Sequence, residues 1–292
     1  MMGWFLLLSR RVTRIPHRLY WEVRIWILTL PRLWWINRCG HASIPEAGGP
    51  VVSLTSYGMR VRTVYLTIES IARGYKRPSR IILWVEDDSS FRNPPAPLRR
   101  LVRRGLEIRL CTSYGPHTKY FPYVETQDHF DVPLVTADDD QLYPRDWLKT
   151  LAEGYNTFPT AINCHWALAI GLQDKLAKYT SWGRCGSTEP NFRQIALGVS
   201  GVIYPPAFLR TLKAAGSAFQ SCCPKADDLW LHVQALRAGY KIRQLRPEPL
   251  QCLQVPGSQG IALGKQNKDD GGNDRQVEAT YTAADINRML EV

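Results

Sequence analysis

Val132-Pro133-Leu134-Val135-Thr136-Ala137-Asp138-Asp139-Asp140 runs from an apolar segment straight into three carboxylates, with Tyr143-Pro144 just beyond. The apolar part reads as a buried strand over 133–137, and Pro144 can open a helix. Three carboxylates side by side at a strand end need something cationic to neutralise them. Side chains at i and i+2 share a face of a strand, so Asp138 and Asp140 can converge on one ion while Asp139 points elsewhere. Hard oxygen ligands suit Mg2+ or Mn2+, which keep coordination positions open for substrate phosphates. The plain alternative is an acidic surface turn, because Asp is common in turns. The triplet ends an apolar strand instead of sitting in a polar loop, and this favours the metal.

Upstream, the pattern of apolar strand and polar strand end repeats. Pro50-Val51-Val52-Ser53-Leu54-Thr55 reads as a short buried strand that runs into Ser56-Tyr57-Gly58. Val61, Val64, Tyr65, Ile68 and Ile71 recur at helical spacing and predict a helix closed by Gly74. Ile81-Ile82-Leu83-Trp84-Val85 is apolar throughout, as a parallel strand covered on both faces should be, and Glu86-Asp87-Asp88 lie at its end. A basic helix over 98–104, a strand over 106–110, a short helix near Lys119 and a helix over 144–153 complete this half. Strands and helices alternating at this rhythm predict a βαβ sheet with right-handed crossovers. Ligands of such sheets bind at the carboxyl ends of the strands, where Thr55-Ser56-Tyr57, Glu86 and the Asp triplet all fall. The glycines form neither G-x-G-x-x-G nor a P-loop, so no dinucleotide or P-loop site is indicated.

The second half is less regular. It reads as a strand over 161–170, a glycine-spaced stretch Gly198-Val199-Ser200-Gly201, and a helix over 206–215. A helix over 226–239 follows, with Asp227 and Asp228 in its first turn, then a strand over 241–245. Residues 258–273 are polar and glycine-rich and predict a mobile loop; 274–290 predict a last helix. There is no internal repeat.

The 292 residues carry a net charge of +11 with 45% hydrophobic content, enough for a real core and suggestive of an anionic partner. No RRM, zinc-finger or helix-turn-helix signature appears, so nucleic acid is not expected. The 7 cysteines include no C-x-x-C pair, which favours reduced thiols in a cytoplasmic setting over a zinc site or disulfide framework. The first forty-odd residues interleave Arg10, Arg14, Arg24, Arg32 and Arg38 with Trp4, Trp21, Trp26, Trp34 and Trp35. No window reaches the roughly 20 apolar residues of a spanning helix, Pro31 breaks the run, and no signal-peptide cleavage site follows. Arginine and tryptophan among aliphatics fit an interfacial anchor on anionic lipid; a helical hairpin packed on the folded domain is the alternative. The division expected is a membrane-associating segment (1–40), a linker (41–49) and one folded domain (50–292).

Several motifs then occur in a familiar order. They are Leu54-Thr55-Ser56-Tyr57 with Arg60, Ile82-Leu83-Trp84, Lys119, Thr136-Ala137-Asp138-Asp139-Asp140 with Tyr143-Pro144, Gly201-Val202-Ile203-Tyr204-Pro205-Pro206, Ala226-Asp227-Asp228-Leu229-Trp230-Leu231 and Gly272-Asn273-Asp274-Arg275-Gln276. Together they resemble bacterial GT-A-fold glycosyltransferases related to glycosyltransferase family 2, over roughly residues 50–276. The resemblance implies an α/β GT-A domain and an inverting, Mn2+- or Mg2+-dependent transfer. The donor would be a UDP- or GDP-sugar and the acceptor a glycan or lipid-linked molecule of the cell envelope. It implies Asp140 as a direct metal ligand, with Asp138 on the metal, a metal-bound water or the ribose. Thr55, Ser56, Tyr57, Arg60, Glu86, Lys119, Asp138 and Asp139 become donor-site candidates. Asp228, with Asp227 beside it, becomes the base, and Gly201 and Trp230 belong to the sugar or acceptor side. Many GT-A enzymes add a C-terminal His ligand; no His follows His232 here, and Asn273 or Asp274 is the substitute.

Three readings compete. A glycosyltransferase peripheral on the inner face of the cell membrane uses all the acids. A nucleotidyltransferase or metal-dependent phosphohydrolase acting on nucleotide-sugars has no need of a base at Asp227-Asp228. A non-catalytic basic module leaves the strand-end acids unexplained.

Overall fold

The computed structural model describes residues 25–172, 175–258 and 272–291. A seven-stranded sheet runs through them, built from β1 (Val51–Thr55), β2 (Arg80–Val85), β3 (Leu106–Leu110), β4 (Leu134–Ala137), β5 (Ala161–Cys164), β6 (Val202–Tyr204) and β7 (Lys241–Gln244). Across the sheet the order is β7-β5-β6-β4-β1-β2-β3. Only β6 is antiparallel to its neighbours, β4 and β5; the other pairs are parallel. This is the mostly parallel, helix-flanked sheet that the strand–helix rhythm predicts.

The near-continuous apolar strands make sense because both faces are covered. On one face Val51, Ile82 and Leu134 pack with Phe121 of α4 (Phe121–Thr126) and with Leu229 and Val233 of α7 (Asp227–Arg237). On the other, Val52, Leu54 and Leu83 pack with Ile68 of α2 (Val64–Ala72) and Leu151 of α5 (Trp147–Thr157). Register then sets the site. Thr55 pairs with Trp84 and Leu54 with Ala137, so the chain after β1, β2 and β4 emerges at one edge.

Three expectations need correction, and a fourth falls mostly outside the described residues. The strand expected over 161–170 is two strands in different sheets. After β5 the chain turns at His165-Trp166, and Ala167–Ala169 joins a three-stranded sheet with Gln194–Ala196 and Gly183–Arg184. The turn is held by Gln244, whose Oε1 accepts the Ala167 N–H at 2.7 Å, and by the His165 N–H on the Gly201 carbonyl. The single last helix is α8 (Gly272–Thr280) and α9 (Ala283–Leu290), because Thr282 and Asp285 form a reciprocal capping box that starts a new helix. Residues 41–49 are not a free linker. Ile44 is fully buried, its N–H bonds the Arg104 carbonyl, and Glu46 N–H bonds the Pro78 carbonyl. Of the loop expected over 258–273, residues 259–271 lie outside the described residues.

The N-terminal expectation is only partly within view, since residues 1–24 lie outside the described residues. Of the rest, α1 (Leu30–Cys39) packs on α2 and on α3 (Ala96–Val102). Leu33 is fully buried, and Asn37 Nδ2 donates to Glu69 Oε1 at 3.0 Å and to the Pro97 carbonyl at 3.1 Å. Arg104 closes the same cluster, 2.6 Å from Glu69 Oε1. The opposite surface is bare: Trp26, Ile27, Leu28, Trp34 and Trp35 are all at least half exposed. Among the described residues no helix is long and apolar enough to cross a membrane.

Candidate functional site

A cleft of about 570 Å³ opens where β1, β2 and β4 end. Thr55, Tyr57, Arg60, Glu86, Lys119 and Asp138-Asp139-Asp140 line it, and Asp227 and Asp228 enter from the first turn of α7. Lys119 stands between the two acidic groups. Its Nζ lies 3.1 Å from Asp138 Oδ1 and 3.3 Å from Asp227 Oδ2. It ends a 3-10 turn, Gly115–Lys119, and the Lys119 carbonyl accepts a 2.7 Å bond from Ser53 Oγ on β1. Ser53 is itself held by Trp84 Nε1 at 2.9 Å, so the sheet fixes where this lysine begins. Burial alone would lower the Lys119 pKa, but Asp138 and then Asp227 outweigh it and hold the ammonium well above its ordinary value.

The triplet divides its work. Asp139 faces inward: its carboxylate accepts from Ser56 Oγ at 2.6 Å and from Arg60 Nη1 at 2.9 Å. Burial raises its pKa to about 6 in spite of these bonds. Asp140 Oδ1 accepts from Gln141 Nε2 at 3.0 Å, and Oδ2 lies 3.5 Å from Arg60 Nη2. Burial and then the nearby Asp138 charge raise its pKa too. The Asp138 backbone N–H is anchored on the buried Tyr143 hydroxyl at 2.9 Å. Across the cleft, Asp228 Oδ1 accepts the Gly198 N–H at 3.0 Å. Burial, reinforced by Asp227, pushes the Asp228 carboxyl up to about 8.

Of the residues singled out from sequence, Ser56 is fully buried and reaches the cleft only through Asp139. Gly201 is not among the cleft's walls: it has φ +99°, and a Cβ there would meet Trp147 at 2.6 Å. Trp230 is 4% exposed and packs edge-on against Phe219 in the core. Asn273 does line the cleft, whereas Asp274 is engaged as acceptor of the Tyr179 N–H at 2.7 Å. Sequence reasoning missed Gly198, Ser53 and Tyr143. Gly198 and Tyr143 had a signal, since Gly198 opens the glycine-spaced stretch and Tyr143 follows the Asp triplet in the motif already noted. A Cβ at Gly198 would lie 2.8 Å from Lys119 Nζ and 3.4 Å from Asp228 Oδ1.

Among the described residues no group of three or more His, Cys, Asp or Glu is arranged to hold a metal ion by itself. The cleft's donor set instead fits a hard cation held by one or two carboxylates and completed by phosphate oxygens and water. One oxygen supports a missing partner: Asn273 Oδ1 is buried in this region and makes no hydrogen bond among the described residues, whereas Asp227 Oδ2 already faces Lys119 Nζ at 3.3 Å.

No protein-family model matches the chain, and no curated protein matches it. Similar solved structures include a mannosyltransferase, PcManGT, from Pyrobaculum calidifontis in complex with GDP-Man and Mn2+. It is 15% identical with a TM-score of 0.45, over 82% of this chain and 68% of that one. TarS residues 1–349 from S. aureus are 13% identical with a TM-score of 0.44, over 69% of this chain and 59% of that one. A CMP:2-keto-3-deoxy-manno-octonic acid synthetase complexed with CTP is 9% identical with a TM-score of 0.43, over 71% of this chain and 93% of that one. Likenesses of this size carry no argument about the reaction.

Proposed function

We propose that this chain is a GT-A-type glycosyltransferase that moves a sugar from a nucleotide-sugar to an acceptor hydroxyl with inversion. One observation carries the reading: two acidic groups from opposite walls, 138–140 and 227–228, meet across Lys119 at the carboxyl edge of a parallel sheet. Such an edge is where α/β sheets place ligands. Lys119 and Arg60 face the side where a diphosphate would lie. Asp138 and Asp140 would hold a divalent ion there, with Asn273 Oδ1 a further donor. When bound, that ion supplies charge neutralisation for the departing diphosphate.

Asp228 is the base. Its Gly198 bond leaves the other carboxylate oxygen to take the acceptor proton, and its raised pKa strengthens it as a base. The sugar carbon would sit between Asp228 and the diphosphate, which places acceptor and leaving group on opposite faces. Residues 1–40 are proposed to hold the enzyme on the inner face of the cell membrane through exposed tryptophans and arginines, with residues 50–292 as the catalytic unit.

The test is a screen of UDP- and GDP-sugars for Mn2+-dependent release of nucleoside diphosphate by the full chain. Release from one donor, stopped by EDTA, is expected. Pyrophosphate release from a nucleoside triphosphate mixed with a sugar phosphate would favour a nucleotidyltransferase instead.

A further inference from the structure

A second groove, of about 680 Å³, adjoins the cleft. The two share Gln141, Val199 and Gln254 as walls. Val199 directly follows Gly198, whose N–H holds Asp228. The wall they share therefore includes the turn that holds the proposed base. Gln141, Ser200, Gln251 and Gln254 give its walls a polar part. Trp166 lines it as well, and its indole Nε1 is buried with no hydrogen-bond partner among the described residues.

Another part of the wall has a different character: Ile25 and Trp26 belong to it, and Trp26 is 61% exposed. From Trp26 the apolar surface continues as Ile27 and Leu28, exposed at 65% and 62%, on the same helical segment that carries exposed Arg32 and Arg38. An apolar surface of this kind next to arginines matches the boundary between headgroups and acyl chains.

We infer that this groove is the acceptor site and that it takes an amphiphile. A hydroxyl-bearing head lies along Trp166 and the glutamines with its reacting oxygen towards Asp228, and an apolar chain leaves over Trp26 towards the lipid surface. The inference rests on the transferase reading, which it deepens by naming the acceptor class.

The probes are one alkyl glycoside in octyl and dodecyl forms, used below their micelle concentrations, and its free sugar. Binding to the full chain is followed by calorimetry for the wild type and for Trp26→Ala, Gln251→Trp and Trp166→Phe. Trp26 and Gln251 are both exposed, so these two changes leave the core alone. The wild type should bind the dodecyl form at least ~10-fold more tightly than the octyl form, and the free sugar weakest, as expected for burying more chain. Trp26→Ala should erase most of the chain-length dependence. Gln251→Trp, which fills the groove, should weaken both forms at least ~10-fold. Trp166→Phe should weaken the head contact alone. UDP or GDP binding with Mn2+ should be unchanged in all three. Wild type that binds neither glycoside, or variants that bind them like wild type, overturns the groove. The same holds if Trp26→Ala loses only binding to phosphatidylglycerol vesicles, since the face is then a membrane contact alone. Failure of UDP and GDP to bind the wild type counts against the transferase reading instead, and is read separately from the glycoside arm.

Discussion

Asp228 stands in two roles that pull against each other. Burial and Asp227 favour its protonated form, whereas a base must be ionised. The kcat/KM of the wild type should therefore rise with pH towards about 8, the value to which this carboxyl is pushed. Asp228→Asn should cut transfer at least ~100-fold, abolish that rise and leave donor affinity nearly intact. If Asp227→Asn is the damaging change and Asp228→Asn is mild, the base is misassigned within the pair. The same shift links to stability. A carboxyl with a raised folded pKa stabilises the fold fully below its unfolded pKa, and this contribution is lost as pH rises through the folded value. Asp228→Asn should thus lose less stability than wild type between the ordinary carboxylate range and about pH 8, as thermal melts across that range would show. An equal decline in both proteins would contradict the buried, charge-crowded environment assigned to Asp228.

Elements place these residues, and the turn before β6 does so with the least tolerance. Gly198 leaves just enough room for Lys119 Nζ and Asp228 Oδ1. Gly198→Ala should displace the lysine by a few tenths of an ångström and lower transfer on the order of 10-fold. Gly183→Ala, where a Cβ would meet nothing within 4 Å, is the matched control and should be silent. Equal activity in both would remove Gly198 from the site. Such pairs also mark what the sequence made legible. The strands β1, β2 and β4 were readable because doubly covered strands are apolar in a row, and their shared edge followed from the alternation with helices. The acids at that edge were readable because apolar strands rarely end in carboxylates. What escaped notice depends on partners distant in sequence. Nothing near Ser53 reveals that it carries the Lys119 carbonyl, and nothing near Ala167 reveals that Gln244 will bend the chain. Trp230 was open to two readings in sequence, sugar contact or core filler, and only its place against Phe219 separates them.

At the scale of the whole molecule, the helix α1 belongs to the folded unit as much as to any membrane surface. Leu33 and Asn37 seal α2 and α3, and Asn37 shares the buried Glu69 with Arg104. Deletion of residues 1–40 should therefore cost at least ~3 kcal/mol, from one fully buried leucine and the hydrogen bonds of a buried carboxylate. Urea titration would measure it; an unchanged midpoint would show α1 to be a detachable anchor. Replacement of Trp34 and Trp35 by serine leaves the sealing face intact, because both side chains are at least half exposed. That variant should keep its stability and lose binding to phosphatidylglycerol vesicles, with the remaining binding weakened by salt. Vesicle binding equal to wild type would remove these tryptophans from the membrane contact. The central claim is that the cleft at the sheet edge takes a nucleoside diphosphate on a divalent ion. Calorimetric titration of UDP and GDP into the full chain, with Mn2+ and after EDTA, for wild type and Asp140→Asn, tests it most directly. The account predicts that wild type binds one nucleotide only with Mn2+, and that Asp140→Asn, with an unchanged melting transition, does not bind. Binding that ignores both EDTA and the loss of the Asp140 carboxylate, or no binding of either nucleotide by wild type, would contradict it.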